Sequence, residues 1–126
     1  MNHGEFIKLI DNRWLHCFQL LGSKNAEYAE ADDKLSNFKQ AAALKGETPE
    51  RALWGMLAKH IISIKKIIYD LDQGKIPLPV TVSEKCSDMI NYTLLLEALI
   101  QERNPAKVAG FKNCKFDNTR LATGQL

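Results

Sequence analysis

The chain is poor in residues that staple, span or punctuate. It has three cysteines, Cys17, Cys86 and Cys114, an odd number with no C-x-x-C spacing. That argues against a disulfide framework or a zinc knuckle and fits a reducing compartment. Long apolar runs are missing too. The longest, Thr93 to Ile100, is broken by Glu97, so no transmembrane helix is expected. The first residues lack a basic segment followed by an apolar one, so no signal peptide is expected. Neither charge sign dominates: the net charge is +2. Residues 1–103 hold 13 Lys/Arg against 14 Asp/Glu, whereas 104–126 hold four cations against Asp117 alone.

Several functional signatures are absent. There is no G-x-G-x-x-G, no Walker A loop, no G-x-S-x-G elbow and no H-E-x-x-H or H-x-x-x-H zinc pair. His16 and Cys17 are adjacent on a helix, so they point to different faces and make a poor nucleophile pair. Clustered basic residues beside an aromatic platform are also missing, so nucleic-acid binding is not expected. No internal repeat or low-complexity run is present.

The composition is that of a globular protein, 45% hydrophobic and 25% charged. At 126 residues the length suits one domain, able to bury roughly two-thirds of its unfolded surface. Helical periodicity organises the chain. Phe6, Ile10, Cys17 and Leu21, with Leu9, Trp14 and Phe18 beside them, predict a first helix over 5–29, with Gly22 and Ser23 as a point of interruption. Asp32 or Asp33 can cap a second helix carrying Leu35, Phe38, Ala41, Ala42 and Leu44, and Gly46 can end it.

The third helix has the clearest punctuation. Thr48 suits the N-cap, Pro49 suits N1 and Glu50 suits the dipole's positive end. Leu53, Met56, Leu57, His60, Ile61, Ile64, Ile68 and Leu71 form one stripe that runs to Gly74. Pro77 and Pro79 mark residues 75–82 as a connector. Ser83 can cap a fourth helix running to Arg103, which is apolar nearly all round and so expected to be central and buried. Asn104-Pro105 stops it. The expected fold is all-α: a small antiparallel bundle of about four helices over 1–103, with a basic, irregular tail over 104–126.

Polar residues on these helices are the candidates for chemistry. Glu84, Asp88, Asn91 and Tyr92 share one face of the fourth helix. Two carboxylates four residues apart can hold a divalent cation, or they can decorate exposed first turns. Glu27, Glu30, Asp32 and Asp33 form a second acidic group, read either as a solvated corner or as the other half of a magnesium site. Lys59 and Ser63 lie on a polar face of the third helix. His60 lies on its apolar stripe, where a histidine is either bonded to a core neighbour or a ligand contact.

Three blocks of residues carry a resemblance. They are Lys24–Lys39, with its Ala-Glu-Tyr-Ala and Asp-Asp-Lys-Leu-Ser-Asn-Phe-Lys runs; Trp54–Ile64, with Lys59, His60 and Ser63; and Glu84–Leu96, with Asp88, Asn91 and Tyr92. Over about residues 12–102 the chain resembles the nucleotide-modification-associated domain 1 family of phage and prophage proteins. More distantly it is similar to the MazG-like all-α nucleotide pyrophosphatases. The resemblance implies a nucleotide ligand. It implies magnesium held by Glu27, Glu30, Asp33, Glu84 and Asp88, with Glu84 and Asp88 as catalytic carboxylates. Asn37, Lys59, His60, Ser63, Asn91 and Tyr92 would bind the nucleotide.

Two readings of function follow. One is a magnesium-dependent nucleoside triphosphate pyrophosphohydrolase. The other is a non-catalytic phage protein that sequesters a nucleotide immune signal or binds a host protein, an anti-defence role. A homo-oligomer in the cytoplasm, the host's if the gene is a phage's, completes the expectation.

Overall fold

The computed structural model describes the backbone of residues 1–28 and 33–104, and the side chains of 1–22 and 33–104. Four helices follow one another: α1 (His3–Tyr28), α2 (Ser36–Lys45), α3 (Pro49–Asp72) and α4 (Pro79–Arg103). No strand occurs among the described residues. The fold is a small all-α bundle.

Short-range chemistry sets the ends of the helices. Asn2 Oδ1 accepts from the Glu5 amide at 2.9 Å and Glu5 Oε2 accepts from the Asn2 amide at 2.7 Å. This reciprocal pair satisfies donors that the first turn of α1 would otherwise leave free. Gly22 does not interrupt α1. Asp33 does not stand at the N-cap of α2, a place held by Leu35. It acts just before, its Oδ1 accepting from the Leu35 amide at 2.9 Å. Gly46 closes α2 in the left-handed region, φ 63°, where a side chain would be strained. Thr48 Oγ1 then accepts from the Arg51 amide at 3.3 Å, with Pro49 in the first turn of α3.

The start of α4 corrects the expected connector. Pro79 stands in the helix's first turn after Leu78 at the N-cap, the same use of a missing N–H as at Pro49. Residues 79–82 are therefore helical, and Ser83 is no cap.

The helices pack in the order α1, α4, α3, α2. α3 and α4 run antiparallel: Glu50 meets Arg103 at 3.2 Å near one end, and His60 meets Asp88 further along. The core lies where α2, α3 and α4 converge. Leu35, Phe38, Leu53, Leu57 and Leu99 are buried there, each contributing roughly 1.5–3 kcal/mol.

α1 is joined to the bundle differently. Arg13 Nη1 donates to Ser83 O at 2.8 Å and to Ser87 Oγ at 2.7 Å, and also reaches Ser83 Oγ. Ser87, fully buried, donates from its own hydroxyl to Ser83 O at 2.8 Å. Cys17 is buried beside them.

α4 is central, as the helix that packs on both α1 and α3. It is not wholly buried, however: Ser87, Asn91 and Leu99 are its buried residues. The α3 stripe is covered at Leu53 and Leu57 but lies open at Ile61, Ile68 and Leu71. Among the described residues, no helix is long and apolar enough to cross a membrane.

Candidate functional site

A cavity of about 400 Å³ opens beside the core, walled by all four helices. Helical spacing selects its lining. Asp88, Asn91, Tyr92 and Leu95 fall on one face of α4, three and four residues apart. Met56 and His60 come from α3 one turn apart. Lys34, Asn37 and Phe38 come from α2 and its approach, and Leu20 and Leu21 from α1.

His60 Nδ1 and Asp88 Oδ2 are 3.1 Å apart, each side chain about one-fifth exposed (21% and 19%). A carboxylate only accepts, so this contact is favourable when Nδ1 carries the proton. Lys85 Nζ stands 4.0 Å from the same oxygen. The His60 and Tyr92 rings lie 4.7 Å apart between centroids, tilted by 39°. Phe38 meets Tyr92 edge-on at 6.4 Å. Burial, and secondarily the nearby Asp88 charge, raises the Tyr92 hydroxyl pKa above its ordinary value.

Asn91 is 8% exposed, and no donor reaches its buried Oδ1. An enclosed carbonyl oxygen without a donor costs about 1–3 kcal/mol.

Comparison with protein-family models, with curated proteins and with solved structures gave no match for this chain.

Five residues singled out in the sequence thus meet around one cavity: Asn37, His60, Asp88, Asn91 and Tyr92. Others do not join them. Lys59 is exposed and Ser63 Oγ donates to the Lys59 carbonyl of its own helix at 3.0 Å. Glu84 is exposed and outside the lining. Asp33 accepts from Lys39 Nζ at 2.8 Å, and that hydrogen bond holds its carboxyl below the ordinary range. Lys39 also reaches Glu102 at 2.8 Å, tying α2 to α4.

Among the described residues, no group of three or more His, Cys, Asp or Glu could hold a metal. Asp88 is turned to His60, and Glu84 lies apart. Glu30 and the Glu27 side chain fall outside the described residues, as does the basic stretch of the tail.

Lys34, Phe38, Met56, Leu95, Leu20 and Leu21 complete the wall without having been candidates for it. Phe38, Met56 and Leu21 read as core in the pattern, and Lys34 carries a faint signal as a cation three residues before Asn37. Together the walls offer an aromatic and imidazole face, two carboxamides, a carboxylate and an ammonium group. That set can stack on a planar ring, read its polar edge and meet an anionic tail.

Proposed function

We propose that this cavity binds a nucleotide. The observation that carries the reading is the convergence of Asn37, His60, Asp88, Asn91 and Tyr92 from three helices on one cavity of about 400 Å³. That volume falls in the range of small-molecule sites, roughly 300–1,000 Å³. The base would lie against Tyr92 and His60, its polar edge facing Asn91 and Asn37. Lys34 would meet the phosphate end. The resemblance to phage nucleotide-modification-associated proteins supports the same ligand class.

Retention of the ligand intact is favoured over hydrolysis. The carboxylate that a magnesium-dependent pyrophosphohydrolase would use, Asp88, is engaged by His60, and its helical neighbour Glu84 does not line the cavity. On this reading a phage-encoded protein would sequester a nucleotide signal of the host's defence.

The test is to mix the purified chain with a pool of NTPs, dNTPs and cyclic dinucleotides, with and without magnesium. Chromatography then follows the free pool before and after heat denaturation. The expected result is a nucleotide that disappears and returns intact. Pyrophosphate with a monophosphate would establish the hydrolase instead. An unchanged pool would remove the nucleotide reading and leave a host protein as the partner to seek.

A further inference from the structure

On α1, the face that packs against α4 runs out of cover before the helix does. Cys17, 1% exposed, lies on that face. Ile10 and Phe6 stand seven and eleven residues earlier, about two and three turns away, and so share its side of the helix. Yet they are 42% and 50% exposed. Trp14 at 61% and Phe18 at 73% continue the exposed surface. Phe6, Ile10, Trp14 and Phe18 recur every fourth residue, the spacing of a ridge that fits the groove of another helix.

We propose that this ridge is a self-association face, covered by α1 of a second copy of the chain. The area fits. A whole aromatic side chain offers about 150–250 Å², so the four ridge residues together leave roughly 450 Å² of apolar surface open. A standard interface takes about 800 Å² from each partner, a little over half of it apolar. The pattern fits as well. A two-fold contact needs a surface complementary to itself. The ridge carries no charge and is balanced about its middle. In an antiparallel pair centred near Asn12, Phe6 of one copy meets Phe18 of the other, and Ile10 meets Trp14. The polar clamp of Arg13 on Ser83 and Ser87 faces the chain's own α4 and is left undisturbed.

The chain's two tryptophans, Trp14 and Trp54, allow a direct test with the full chain. Sedimentation equilibrium at micromolar concentration gives the mass, expected at twice 14.2 kDa. In a Trp54→Phe chain, emission reports Trp14 alone. It is expected to be blue-shifted, shielded from acrylamide, and to turn red on dilution as the mass falls to one chain. Phe18→Glu should give the single-chain mass with helical circular dichroism intact. Ile62→Glu, on exposed α3 surface, should leave the double mass unchanged. A single-chain mass for the unaltered protein at every concentration overturns the proposal. A double mass with Trp14 freely quenched also overturns it, by placing the contact elsewhere.

Discussion

His60 Nδ1 lies 3.1 Å from Asp88 Oδ2, bridging α3 and α4 on the wall of the cavity. The pair joins two helices and, on the proposed reading, also faces the nucleotide, and substitution separates the two roles. Asp88→Asn keeps an acceptor for Nδ1 but removes the charge. Its stability is expected to fall by about 1 kcal/mol, read from the urea midpoint. Nucleotide affinity by calorimetry is expected to fall at least tenfold. A variant that binds as tightly as the parent would take Asp88 out of the site.

Arg13→Met should loosen α1 selectively. It removes a donor that Ser83 O and Ser87 Oγ share. The expected cost is about 1–3 kcal/mol. Hydrogen exchange should quicken across residues 3–28 while the α3–α4 amides hold their protection. Uniform quickening across all four helices would contradict the view that the Arg13 clamp acts on α1 in particular.

Core and surface should diverge sharply on α3. Leu53 is fully buried, so Leu53→Ala is expected to cost about 2–5 kcal/mol. Ile62, 66% exposed, should tolerate alanine within about 0.5 kcal/mol. Thermal denaturation of the two variants beside the parent checks the contrast.

The pH profile has a signature at each end. The folded chain holds Asp33 below its ordinary value through the Lys39 hydrogen bond. That contribution is present above the ordinary value of 3.8 and is lost as pH falls through the folded value. Tyr92 is raised by burial and by Asp88, so folding favours its neutral form. Its contribution is complete below the ordinary value of 10.0 and is lost as pH rises through the folded value. An absorbance titration should show one tyrosine ionising late, a step that Tyr92→Phe abolishes.

What the sequence revealed was mostly local. Gly46, Thr48 and Pro49 spell the α2–α3 junction because each answers a need of the backbone within a few residues. Pro79 was legible by the same rule, yet its nearness to Pro77 and the lack of a capping side chain hid it. Helix-to-helix register was not legible. His60 and Asp88 each stood out, but no spacing rule joins residues from two helices. Glu84 and Asp88 are neighbours along α4, yet the 6 Å rise between them, about one turn, carries Glu84 beyond the cavity. Ser87 gave no signal at all, since a hydroxyl in an apolar helix acquires meaning only when Arg13 arrives from α1.

Leu20 and Leu21 wall the cavity from α1, the helix whose main packing is on α4. A molecule in the cavity would therefore meet a wall held mainly by one helix-to-helix contact. Were α1 to leave that contact in a fraction of chains, apparent affinity would fall by the same fraction. Whatever held α1 more firmly would then tighten binding without touching the bound molecule, and the bound molecule would hold α1 by the same factor in return.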